Sequence, residues 1–194
     1  MITPTRPTPI LAIVRRRPDG VPAPDGVAGR IALALTAFGY APDVAVQATI
    51  APDVPIETLK ALDLGHRAPV VVLGSHLVNR PDPDGGIALL DLARRHLADP
   101  AGVGRMLVEH HPIDWTRTAA DTSATPGGQP GMIDVRIDPP FVSAVTVYDV
   151  GGRVVRQPFT ARVLSAQELD EALGAAGLTL IQRLSPTWIE AAPA

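Results

Sequence analysis

Two apolar runs in this chain end in residues able to move protons. Val70-Val71-Val72-Leu73-Gly74 leads into Ser75-His76, and Arg105-Met106-Leu107-Val108 leads into Glu109-His110-His111. Continuous apolar runs of this length suit strands buried on both faces of a parallel sheet. In open parallel sheets ligands sit beyond the carboxyl ends of the strands, so both histidine-bearing exits are expected to open into one cleft. An imidazole titrates near neutrality and can take a proton from a hydroxyl or amine. That makes His76 a candidate general base; the plainer alternative is a histidine that shapes its loop. Glu109 and His111 share strand parity and should point the same way, with His110 opposite. A carboxylate beside an imidazole orients it and raises its basicity, which adds Glu109 and His111 to the catalytic candidates. The alternative is that Glu109 caps the adjacent loop and one histidine is merely exposed. No metal is expected, because adjacent histidines on a strand diverge and no HxH or HxxxH spacing occurs.

Further candidates surround these exits. Trp115, with Phe141 further on, would line an acceptor pocket or else pin a long loop. Asn79 would contact substrate or simply begin the turn before the next helix. His110, the third residue of that exit, is counted with Asn79 and Trp115 as a substrate contact. Trp188 reads as core or sheet-edge packing.

Composition bounds the partners. The 194 residues are 46% apolar, enough for one well-buried α/β domain, and the net charge of -3 offers no basic field for nucleic acid. Arg15-Arg16-Arg17 is the basic cluster of the chain, and such a short run reads first as a solvated face. Cysteine is absent, which removes disulfides and thiolate chemistry and agrees with a reducing, cytoplasmic setting. The apolar patch Ile10–Val14 is too short for a signal core or a membrane span. A small-molecule substrate is therefore expected, with no nucleic acid and no membrane; a homodimer is one expected assembly.

Proline and glycine punctuate the rest. Six prolines crowd the first 25 positions, predicting an irregular segment broken by a short strand over Ile10–Val14. Gly29 to Phe38 has helical spacing and Gly39 a stop signal; Val44–Val46 is a short strand. A helix is expected from about Asp84 to Ala98 between the two apolar runs. Residues 116–140 carry Gly127-Gly128, Pro130-Gly131 and Pro139-Pro140 and read as a loop or lid. Phe141–Val150 and Arg153–Val163 flank Gly151-Gly152 as a hairpin. Ser165-Ala166-Gln167-Glu168 is a capping box before a helix that ends at Gly177, and Leu178–Leu184 is a last strand. The expected architecture is one α/β domain over residues 1–194.

These strings also carry a resemblance. Val70-Val71-Val72-Leu73-Gly74-Ser75-His76-Leu77-Val78-Asn79 resembles the fourth strand and following loop of bacterial class I S-adenosylmethionine (SAM) methyltransferases. Leu89–Leu97 resembles the helix after it, and Leu107-Val108-Glu109-His110-His111-Pro112 the fifth strand and its exit. Gln157–Leu164, Glu168-Leu169 and Ala175–Leu178 resemble the closing hairpin, helix and strand. The resemblance covers roughly the last 135 residues and rests on the order of modest motifs.

It implies a Rossmann-like, mostly parallel sheet with a C-terminal antiparallel hairpin and a shortened N-terminal part. It also implies SAM as cofactor, with methyl transfer to an O or N acceptor. The family's glycine loop and ribose-binding acid fall on Asp25–Ala32 and on the position after Val46. The resemblance thereby implies cofactor contacts at Gly26, Gly29, Gln47 and Ser75, with glutamine standing where the family has an acid. Two alternatives follow from that departure: a relative that performs another acid/base reaction, such as a cyclisation, and a non-catalytic binding protein.

Overall fold

The computed structural model describes residues 8–19, 21, 31, 35–40, 42–51, 53–98, 103–124 and 130–194, without the side chains of residues 8 and 42–45. Its main sheet has six strands in the order β2-β1-β3-β4-β9-β8. They are β1 (Thr8–Arg15), β2 (Pro42–Ile50), β3 (Val70–Leu73), β4 (Arg105–Glu109), β8 (Leu178–Ser185) and β9 (Trp188–Pro193). The first four run parallel; β9 lies antiparallel to β4 and β8 to β9. The two apolar runs are adjacent and interior, as their composition demands: every residue of β3 is buried.

The N-terminal segment departs from its expected irregularity. Ile10–Val14 belongs to an eight-residue strand that is interior rather than at the edge, with β2 on one side and β3 on the other. Pro9 enters this strand only at its second residue, where the register with β2 shifts between Thr8 and Ile10; from Ile10 onward every amide is free for the ladder. β2 also runs past the expected Val46, reaching Ile50. The closing strand Leu178–Ser185 gains a partner that reading by motif missed. β9 inserts between β4 and β8, placing Ile189 and Ala191 in the core.

Two apolar layers cover the sheet. On one face Leu11, Ile13, Val71, Leu73, Met106 and Val108 pack against Leu89, Leu90 and Ala93 and against Leu169 and Leu173. These come from the helices Pro83–Arg95 and Ala166–Ala175. On the other face Ile10, Ala12, Val14, Val70, Val72 and Leu107 meet Ile31 and Leu35. The helix Pro83–Arg95 begins where Asp82 accepts from the Gly85 amide, with proline in its first turn. A Cβ on Gly86 would stand 2.7 Å from the Val78 carbonyl, so only glycine lets this helix lie against the preceding turn. The Ser165–Glu168 capping box forms with both of its hydrogen bonds.

A second sheet, β5-β6-β7, holds the hairpin. β6 (Phe141–Val150) and β7 (Arg153–Arg162) join through Gly151 and Gly152, both at positive φ, the backbone of a tight hairpin turn. β5 (Gly131–Asp138) occupies part of the stretch expected as a loop over residues 116–140. Met132, Ile133 and Ile137 pair opposite Thr146, Val145 and Val142, so edge pairing overrides the local glycine and proline signals. Trp115–Thr118 forms a short helix. Among the described residues no helix is long and apolar enough to cross a membrane, and no group of His, Cys, Asp and Glu is arranged to hold a metal ion.

Candidate functional site

The strand order reverses at β1, whose neighbours β2 and β3 both follow it in the chain. Such a switch point opens a crevice at the carboxyl ends of the strands. At that edge Arg15 stands opposite Ile50, while β3 ends at Leu73, opposite Ile13 and Val108, so Gly74 and Glu109 follow one residue short of Arg15. The Arg16 amide donates to the Ile50 carbonyl at 2.7 Å, and the Gly74 amide to Ile13 at 2.9 Å. Past Gly74 the chain turns sharply: Ser75 and His76 sit in succession at φ 58° and 52°. A left-handed conformation costs roughly 1–2 kcal/mol per non-glycine residue, and strain of this kind persists where surrounding contacts enforce it. Here the enforcing contact is Glu109, whose Oε2 accepts the Ser75 amide at 2.6 Å.

The same carboxylate faces the imidazole. His76 Nε2 lies 3.7 Å from Glu109 Oε1, with both side chains partly exposed. His76 Nδ1 is buried, which leaves Nε2 as the nitrogen turned toward the cleft. The His76 ring stacks on His111 at 3.9 Å and 13°, and His111 stacks on Trp115 at 3.6 Å and 6°. Trp115 in turn runs nearly parallel to Phe159 of β7, centroids 6.4 Å apart. The structure thus brings His76, Glu109, His111 and Trp115 into one continuous group. Parity foresaw that Glu109 and His111 would share a side.

Several expected roles change with the geometry. His111, expected among the proton-transfer residues, has both ring faces covered. Burial, reinforced by His76, Arg15 and His110 nearby, holds its pKa down to about 2, so it is a neutral platform that fixes the plane of His76. His110 points to the opposite face and is buried. It takes no part in the ring stack; its Nδ1 lies against the His111 carbonyl at 2.9 Å, and burial lowers its pKa. Asn79, expected to contact substrate, is a buried clamp. Its Nδ2 donates to the Arg162 carbonyl at 2.8 Å and its Oδ1 accepts the His111 amide at 2.9 Å. Phe141 begins β6, opposite Arg162.

The cofactor expectations fare differently again. Gly26 and Gly29 lie outside the described residues. Gln47 is exposed in mid-strand opposite Ala12, because β2 continues to Ile50; the acid past the exit of β2 is Asp53. The Ser75 amide is already donated to Glu109, so it cannot serve a ligand as well.

Reading by motif also missed Arg15. It ends β1, and its guanidinium carbon stands 5.8 Å from the centroid of Phe159. Burial lowers the Arg15 pKa, although a guanidinium remains charged. Arg17 approaches Tyr148 similarly at 5.0 Å, and Gln157 donates to the Arg16 carbonyl at 3.5 Å. The second sheet therefore covers the exit of β1 as a roof. Beneath its β6–β7 face lies an open hollow of about 620 Å³ that includes Phe159, Asp134 and Arg136. The signal for Arg15 was present in the sequence as the end of the Ile10–Val14 patch, obscured by the surrounding prolines.

No family model and no curated protein matches the sequence. Solved structures do match its fold. The CcbJ methyltransferase from Streptomyces caelestis aligns over 96% of this chain and 84% of its own, at 20% identity and TM-score 0.57. A S-adenosylmethionine-dependent methyltransferase from Clostridium acetobutylicum ATCC 824 aligns over 95% and 83%, at 8% identity and TM-score 0.57. The sugar N-methyltransferase KedS8 from Streptoalloteichus sp ATCC 53650 aligns over 96% and 80%, at 14% identity and TM-score 0.51. The chain has the class I methyltransferase fold.

Proposed function

We propose that this protein is a small-molecule methyltransferase that acts on a hydroxyl or amine acceptor in the cytoplasm. The observation that carries the reading is the His76–Glu109 pair, set at the strand-order switch of a class I methyltransferase sheet. SAM has a ribose diol that calls for a carboxylate and an amino-acid end that calls for polar partners. Asp53 is the acid past β2, and Arg15 Nε is a buried donor without a partner; the residues present fit these two ends and would hold them. When bound, SAM supplies an electrophilic methyl group.

The chain's own residues supply position and a proton acceptor. His76 Nε2 takes the acceptor's proton, and Glu109 Oε1 provides the counter-charge to the imidazolium so formed. The Ser75 amide fixes that carboxylate. The His111–Trp115 stack restrains the His76 ring, so less rotational freedom remains to be lost as the acceptor aligns. Phe159 and the second sheet cover one side and help exclude water.

Calorimetric titration with SAM and S-adenosylhomocysteine tests this: both should bind the wild-type chain. His76→Ala should lower turnover by about 10²–10⁴-fold while leaving S-adenosylhomocysteine affinity within a few-fold. A second reading, an acid/base enzyme that does not use SAM, is favoured by the Ser75 amide, an expected cofactor contact, being donated to Glu109 instead. Failure of both sulfur compounds to bind would select it.

A further inference from the structure

Arg15 is the unusual group in the cleft. It ends β1 at the switch point, the place where ligands of open parallel sheets bind. Its Nε is buried without a hydrogen-bond partner. Among the described residues no carboxylate forms an ion pair with it, whereas its neighbour Arg16 pairs with Asp19 at 3.7 Å on the surface. Arg15 is half-buried; a buried Nε donor left unpaired is costly, and the planar fork it belongs to matches carboxylate and phosphate oxygens in pairs. Phe159 holds the guanidinium from one side, and His111, close enough to feel its charge, is neutral and adds no competing cation. Glu109, beside His76, ends β4, with β3 between it and Arg15 at the end of β1.

We propose that Arg15 anchors the ligand of this cleft through an anionic group, a carboxylate or phosphate. The cleft then has a polarity. One end of the ligand is an anion on Arg15, and the end that reacts lies toward His76 and Glu109. The anion has two sources: the carboxylate of the methyl donor's amino-acid end, or an acidic group on the acceptor itself. The inference uses the cleft assigned above and does not require that the donor be SAM.

Binding to the 194-residue chain distinguishes the sources. The probes are S-adenosylhomocysteine, 5′-methylthioadenosine (which lacks the amino-acid end), inorganic phosphate and benzoate. The proteins are wild type, Arg15→Gln, Arg15→Lys and the surface control Arg16→Gln. If the donor supplies the anion, Arg15→Gln weakens S-adenosylhomocysteine roughly ten- to a hundred-fold and leaves methylthioadenosine unchanged. If the acceptor supplies it, S-adenosylhomocysteine is indifferent to Arg15, while phosphate or benzoate stabilises the wild type against heat and not Arg15→Gln. Should Arg15→Gln lose its fold, Arg15→Lys decides: it keeps the charge without the fork, and the bound anion must weaken several-fold. No S-adenosylhomocysteine binding by the wild type, with phosphate or benzoate bound in an Arg15-dependent way, refutes the methyl-donor reading and leaves the anion site standing. No anion bound by the wild type, or equal losses in Arg15→Gln and Arg16→Gln, overturns the proposal.

Discussion

At the scale of single residues, the cleft divides labour between two histidines of identical chemistry. His76 faces a carboxylate and is partly exposed; His111 is sandwiched and neutral, with its pKa held near 2. The second fact has a consequence for stability. The unfolded chain protonates His111 near its ordinary 6.5, while the folded chain refuses the proton down to about pH 2. Between those values the unfolded state binds more protons, so stability is fully present above pH 6.5 and falls as pH falls. The slope approaches about 1.4 kcal/mol per pH unit for one histidine, and His110, also shifted downward, steepens it. Denaturant titrations at pH 7, 6 and 5 should show this decline. His111→Phe, which keeps a stacking ring, should flatten the slope by one proton. An unchanged slope would mean that His111 is not buried as described.

At the scale of elements, the cleft depends on how a loop, a strand exit and a hairpin are tied together. Asn79, in the turn Leu77–Asn79, reaches the Arg162 carbonyl at the end of β7 and the His111 amide past β4. One side chain therefore sets the roof and the stacking platform relative to His76. Asn79→Leu leaves a backbone donor and an acceptor unpaired in a buried position. At about 1–3 kcal/mol for each of the two orphaned groups, the loss should total about 2–6 kcal/mol. Chemical denaturation measures it, and a loss below about 0.5 kcal/mol would show that the clamp is dispensable. Its position beside the machinery explains how a residue expected to touch substrate can matter without doing so.

At the scale of the whole molecule, distant parts of the chain meet in a polar network behind the sheet. Buried Glu190 of β9 accepts from Tyr40 at 3.0 Å and from Gln182 at 2.6 Å, and pairs with Arg105 Nε at 3.1 Å. Burial, with Glu190 beside it, pushes the Tyr40 phenol upward, so it stays a neutral donor across the working range. Glu190→Ala would strand the Arg105 guanidinium and the phenol together. Thermal melts should show a loss of about 1–3 kcal/mol, with SAM and S-adenosylhomocysteine affinities unchanged because the network lies away from the cleft. A change in ligand affinity at constant stability would contradict this separation.

Local pattern alone settled those features in which one stretch of chain carries its own instructions. The all-apolar Val70–Leu73 could only be an interior strand, Gly151-Gly152 could only turn a hairpin, and Ser165 with Glu168 wrote the start of their helix. Strand parity likewise put Glu109 and His111 on one side, since alternation is a local property of the backbone. Pairing between distant segments decided the rest. Ile10–Val14 became an interior strand because β2 and β3 both pair with its ladder, and Gln47 lost its expected place because β2 ran on to Ile50. Residues 131–138 became a strand because β6 offered an open edge. His111 turned from base to platform once Trp115 and His76 closed on its faces. Arg15 gained its meaning only when the fold buried its Nε at the strand-order switch, where a donor left unpaired is costly.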